Sequence, residues 1–146
     1  AYAHAPFWKA RHSWLRQLLD NPESNLFTYI ADSIMAVATL LGLSTRIVRS
    51  SDICPVGSAR GADRVMDICD ALGADTYINA QGGAEIYSQG DFKDRGINLF
   101  FVQPGLTAYQ QGKCAYTPSL SIVDMIMFLD IDAVAQRVRH DFSLSP

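Results

Sequence analysis

The stretch that most constrains this chain is residues 58–72, SARGADRVMDICDAL, followed at once by Gly73 and the run Thr76–Asn79. Val65, Ile68, Cys69 and Leu72 fall at i, i+3, i+4 and i+7, which is one face of a helical period. The opposite face carries Arg60, Asp63, Arg64, Asp67 and Asp70, with opposite charges three or four residues apart. The spacing predicts a helix buried on one side and solvated on the other. Gly73 suits the left-handed position that ends such a helix, and Thr76 to Asn79 reads as a strand of β-branched and aromatic residues. Thr45 to Ser50, before the helix, is also β-branched, with Arg46 and Arg49 on opposite faces, which reads as an edge strand. Two strands joined through a helix pack most economically in parallel, with a right-handed crossover.

Length allows this arrangement a core. A chain of 146 residues with 49% hydrophobic residues is expected to be a single α/β domain spanning 1–146, and a domain of that size buries roughly 70% of its unfolded surface. The formal net charge is −3, from 12 basic and 15 acidic residues scattered along the chain. There is no basic stripe of the kind nucleic acid requires, so a nucleic-acid partner is not expected. Apolar runs fall well short of the roughly 18 residues of a membrane span, and no secretory signal opens the chain. Cys54, Cys69 and Cys114 are an odd number without CxxC spacing, which reads as reduced thiols and a cytoplasmic location.

Elsewhere, residues 3–19 have near-helical spacing, and Leu26, Ile30, Ile34, Val37 and Leu41 follow one helical face down to Gly42. Ala84 to Arg95 reads as a weak helix broken by Gly90 and ended by Gly96. Ile97 to Gln103 is almost continuously apolar, as an interior strand covered on both sides should be. Residues 104–118 hold two prolines and two glycines without a period and form a long loop. Ser119 or Ser121 then caps a helix through Leu129, and Asp132 opens a last one to about His140. The expected fold is α/β: a small, mostly parallel sheet of about three strands, with a βαβαβ core preceded and followed by helices.

In open parallel sheets, ligands bind beyond the carboxyl ends of the strands. Here those ends are polar or small: Ser50, Ser51 and Asp52; Asn79, Gln81, Gly82 and Gly83; Gln103, Pro104 and Gly105. Their expected convergence makes one polar rim. The Gly82–Gly83 pair, followed by a helix start, would admit a phosphate or carboxylate, although the same pair also makes an ordinary tight turn. Tyr109, Gln110, Gln111 and Lys113 lie in the long loop, where they either close over a ligand or bond the loop to itself.

The remaining polar residues carry less. His4, His12 and His140 form no metal-ligand set, so no metal is expected, and the residues leave the cofactor open. Cys69, on the apolar helix face, reads as core; Asp63, Asp67 and Asp70 read as a solvated face. Ser121 and Asp124 have S-x-x-D spacing, which reads as helix capping, with Asp124 as the rival candidate for a general base.

In order, SSDI, RGADRVMDICDALGADTYI, the Gly-Gly turn, DFKDRGINLFF, YQQ and PSLSIVD resemble the WbqC-like family of bacterial proteins, over about residues 2–127. The matching positions are Ser50, Ser51, Arg64, Gly73, Tyr77, Gly83, Phe92, Gly96, Tyr109, Gln111, Pro118, Ser121 and Asp124. Asn79 and Ala80 stand where the family commonly has Ser-Gly, Tyr87 stands one place beyond the expected tyrosine, and Phe128 and Asp130 replace an Asn and a Gly.

The resemblance implies a transferase of O-antigen or other surface-polysaccharide (lipopolysaccharide) biosynthesis, possible substrates being sugars that receive an aminoacyl group. The implied partner is a small-molecule sugar, nucleotide-sugar or acyl donor. The family's N-terminal Gln-Pro-Tyr-like segment and later Asp-Asp pair have no counterpart here. On that reading the chain is the C-terminal part of a longer protein, inactive alone, whose missing segment or homo-oligomer completes it. The ligand-binding candidates are Ser50, Ser51, Asn79, Gln81, Gly82, Gly83, Tyr109 and Gln111, with Asp124 the catalytic candidate. The alternative is a non-catalytic binding or oligomerisation module of a larger protein.

Overall fold

A computed structural model of the chain describes residues 2–54, 57, 59–113 and 115–146. Among them, in chain order, are the helices α1 (Trp8–Leu19), α2 (Leu26–Leu40), α3 (Ser50–Ile53) and α4 (Gly61–Leu72), and the strand β1 (Thr76–Ala80). A 3-10 turn at Gln81–Gly83 follows, then α5 (Gln89–Asp94), β2 (Asn98–Pro104), α6 (Ile122–Phe128), α7 (Ile131–His140) and β3 (Phe142–Ser145). These elements form two compact units: Ala1–Thr45 with Leu106–Asp141, and Arg46–Gly105 with Phe142–Pro146.

The first unit is helical. The Asn25 side chain accepts from the Thr28 N–H and starts α2 where the apolar period begins. Gly42, at φ +59, follows its last turn in the left-handed conformation that glycine adopts without penalty. Asp130, two residues ahead of the expected Asp132, caps α7 by accepting from the Asp132 N–H. Leu41, Ile126, Val134 and Ala135 form the buried centre, and Trp14, Val37, Leu40 and Met125 pack against it. Arg11 on α1 donates to the carbonyls of Ile126 and Leu129, satisfying groups the end of α6 leaves open. Arg139 does the same for Leu41 and Gly42 beyond α2, at 3.2 and 2.9 Å.

The second unit contains the sheet, ordered β1-β2-β3. The sheet is mixed. β1 and β2 pair in parallel from Thr76↔Asn98 to Ala80↔Val102, whereas β3 pairs antiparallel to β2, from Phe101↔Ser145 to Pro104↔Phe142. The expectation of a mostly parallel sheet is corrected by β3, which returns to β2 from the chain's end. The expected first strand at 45–50 is also absent: residues 45–49 belong to no helix or strand, and Ser50 starts α3. With arginines on both faces, that segment has no apolar side to bury. The βαβαβ expectation therefore reduces to one parallel step, β1–α5–β2.

The apolar run at 97–103 does form the interior strand, as its pattern predicts. Leu99 and Phe101 are buried with Ile97, Phe92 of α5, and Met66 and Cys69 of α4. Gly73 ends α4 in the left-handed conformation at φ +63, which leaves the chain free to turn into β1. Ser58, the expected helix start, lies outside the described residues, and the helix begins at Gly61. The weak helix expected over 84–95 shrinks to α5; Gly90 lies inside it, and the Ser88 side chain caps it.

Candidate functional sites

In the second unit, six of the nominated residues follow strand or helix junctions. Asn79 is the penultimate residue of β1, and Gln81, Gly82 and Gly83 form the 3-10 turn directly after it. The Asn79 side-chain oxygen accepts from the Ala80 N–H at 2.8 Å, which aims the amide nitrogen toward the turn. A Cβ placed on Gly83 would lie 2.3 Å from that nitrogen and 3.2 Å from the Tyr87 ring. The glycine is thus required by a close approach, since its φ is not in the left-handed region. Gln81 and Gly82 are exposed.

No helix starts just after Gly83. α5 begins at Gln89, so the expected dipole behind the glycine pair is not there. Ser50 and Ser51 are exposed in the single turn of α3, which packs on α4. Arg64 of α4 donates to the Cys54 carbonyl at 2.5 Å and fixes the chain leaving α3. Beneath the turn, Tyr77, Tyr87 and Phe92 form an aromatic cluster, with Tyr77 and Phe92 stacked at 5.6 Å. Burial, and then the neighbouring Tyr87, push the Tyr77 phenol up to about 12.

The first unit holds the other nominated residues, and there they meet. Asp124 is 4% exposed, the buried charged residue among those described. Its carboxylate accepts from the Tyr109 hydroxyl at 2.6 Å and from the Gln111 side-chain amide at 3.0 Å. Gln111 also donates to the Thr117 carbonyl at 3.0 Å and accepts from the Thr117 N–H at 2.7 Å. Tyr109 packs edge-on against Tyr116. The Arg137 guanidinium lies over its ring and donates to the carbonyls of Thr107 and Ala108. Thr107 in turn donates twice to the Asp141 carboxylate.

Burial first, and then the bond to Asp124, raise the Tyr109 phenol to about 12. Burial and Asp124 also raise Tyr2. Asp124 therefore does more than sit in the first turn of α6, where the Ser121 side chain makes the cap by accepting from the Val123 N–H. Of the two roles offered for the long loop, the bonds around Gln111 and Tyr109 hold it to itself and to α6. Gln110 and Lys113 remain exposed. The S-x-x-D spacing located Asp124 in sequence, but nothing in it signalled a carboxylate buried under a loop.

The remaining polar residues have plain surroundings. His4, His12 and His140 are exposed, and the described residues hold no group of His, Cys, Asp and Glu that could bind a metal. Cys69 is buried in the core, which raises its thiol pKa and withdraws it from chemistry. Cys54 is also a free thiol, and Cys114 lies outside the described residues. Asp67 and Asp70 bind Arg95 at 2.8 and 2.5 Å on an exposed helix face. No described helix is long and apolar enough to cross a membrane.

Fold and sites together define a small α/β protein with polar side chains at the carboxyl end of a short sheet and a loop anchored on a buried carboxylate. The chain belongs to the WbqC-like protein family, whose sequence pattern matches residues 1–136. Comparison with curated proteins and with solved structures gave no match. Several of the positions on which the sequence resemblance rests are the joints just described. Gly73 turns the chain, Phe92 is fully buried, Gly83 admits Asn79, Ser121 caps α6, and Tyr109, Gln111 and Asp124 bond to one another.

Proposed function

We propose that this WbqC-like protein takes part in bacterial O-antigen or related surface-polysaccharide biosynthesis as a cytoplasmic transferase of a sugar or acyl group. In this reading, the second unit supplies the polar rim that holds the donor. The supporting observation is the approach of Asn79 to Gly83 beyond the end of β1, the place where open α/β sheets bind ligands. An amide held there by its own backbone contact offers both a donor and an acceptor to sugar hydroxyl or phosphoryl oxygens. Exposed Gln81 and Gly82 extend the rim. Asp124 is assigned a positioning role, since Tyr109 and Gln111 already occupy its carboxylate.

The test is ligand-induced stabilisation of the chain by nucleoside diphosphate sugars and acyl donors. A bound donor at a hundred times its dissociation constant adds about 2.7 kcal/mol to stability. The expected result is such a shift with one donor class, lost in Asn79→Ala while the fold is retained. A set of donors that all leave the melting temperature unmoved removes the donor-binding reading.

A further inference from the structure

We propose that residues 106–112 form a strap that opens and closes over the buried Asp124 carboxylate while the rest of its unit stays folded. Both ends of the segment have left-handed backbone, Leu106 at φ +53 and Gly112 at φ +74. Glycine adopts that conformation freely, but in leucine the Cβ crowds the following carbonyl, so Leu106 is strained. Its side chain is 44% exposed, and packing of that side chain therefore does little to offset the strain. Strained backbone persists where neighbouring contacts hold it, and it collects at segments that switch.

The contacts that hold this segment come from side chains. Tyr109 and Gln111 reach Asp124 at 2.6 and 3.0 Å. The Asp141 carboxylate accepts from the Thr107 N–H and hydroxyl at 3.1 and 2.8 Å. Arg137 donates to the carbonyls of Thr107 and Ala108, and the Tyr116 hydroxyl donates to that of Leu106 at 3.2 Å. Leu106, Thr107, Ala108, Gln110 and Gly112 are exposed, whereas Tyr109 and Gln111 are half-buried. A segment that buries so little apolar surface belongs with the parts of a protein that open at low free energy. The floor beneath it is different: Asp124 shares α6 with the fully buried Ile126 and Met127. Opening carries Tyr109 and Gln111 away, relaxes Leu106 and leaves Oδ2 of Asp124 without the two donors that fill it. Asp124 is an anchor while the strap is closed and a carboxylate open to a ligand when it lifts.

The experiment is labelling of the whole chain with a water-soluble carbodiimide and glycinamide. The rate at Asp124 is read by peptide mass spectrometry against that at exposed Asp132, with circular dichroism on each variant. The expected result is slow labelling of Asp124 that low urea concentrations do not accelerate, because local opening exposes little new surface. Tyr109→Phe removes one latch and should speed it about tenfold. Leu106→Gly removes the strain of the closed strap and should slow it several-fold. If Tyr109→Phe loses its helical signal, Leu106→Gly decides alone. Labelling that requires urea unfolding, a rate unchanged in both variants, or acceleration by Leu106→Gly overturns the proposal.

Discussion

The Tyr109 hydroxyl donates to the buried Asp124 carboxylate at 2.6 Å, joining a loop without a period to the first turn of α6. A hydrogen bond to a charged group contributes about 1.5–3 kcal/mol. Because Tyr109 is half-buried, Tyr109→Phe is expected at the lower end, about 1.5 kcal/mol. Asp124→Ala should cost about 3 kcal/mol or more, since it leaves the Tyr109 and Gln111 donors without their acceptor. Urea unfolding of both variants gives these values. A loss below about 0.5 kcal/mol for Asp124→Ala would show that the carboxylate anchors nothing.

The same phenol, together with that of Tyr77, makes stability depend on alkaline pH. Tyr109 and Tyr77 are both raised from 10.0 to about 12, chiefly by burial, so the folded chain keeps phenolic protons that the unfolded chain has released. The unfolded state binds fewer protons in that window, and the free energy of unfolding therefore falls as pH rises. Stability from these groups is complete below 10.0 and is lost progressively toward about 12. Unfolding curves taken across that interval should show the decline, and it should be shallower in Tyr109→Phe. An identical slope in the variant would assign the effect to other groups.

Much of the fold was legible where periodicity and end signals agreed. The period of α2, the glycine after α4 and the apolar run of β2 each combine a pattern with a terminator, and each forms as read. The segment 45–50 had β-branched composition alone; a strand also needs a partner and one apolar face, and Arg46 and Arg49 denied it the second. β3 was missed because FSLS is four residues long, too short for alternation to stand out from the helix before it. The position of Asn79 and of Gln81–Gly83 at the end of β1 was legible because the strand itself was, whereas Ser50 and Ser51 were placed at the end of a strand that does not form. The meeting of Tyr109 and Gln111 with Asp124 was not legible, because an aperiodic loop carries no information on which way its side chains turn.

Ser121 caps α6 through the Val123 N–H at 3.3 Å. The reading of this serine as a cap predicts that Ser121→Ala costs about 1 kcal/mol and that Ser121→Gly or Ser121→Asp costs less. The position also separates capping from the anchor role of Asp124. Ser121→Ala should leave the alkaline decline intact, because the Tyr109 bond survives, whereas Asp124→Ala should reduce it. Thermal unfolding at neutral and alkaline pH distinguishes the two, and matching pH behaviour in both variants would refute that separation.

The contact between Asn79 and Gly83 makes a sharper prediction because it concerns a pair. Adding a methyl group at Gly83 places a carbon 2.3 Å from the Asn79 amide nitrogen, inside any tolerable contact, so the amide must leave its bond to the Ala80 N–H. Overpacking of this kind costs about 1–3 kcal/mol. The Gly83 backbone itself is not left-handed, so the cost should come from the clash and not from conformation. In an Asn79→Ala background the obstructing amide is gone, and Gly83→Ala should then be tolerated apart from the looser contact with the Tyr87 ring at 3.2 Å. The double-mutant cycle should therefore show a favourable coupling of about 1 kcal/mol or more. If the two changes simply add, the glycine serves the turn alone, and the close approach that supports the donor rim loses its energetic meaning.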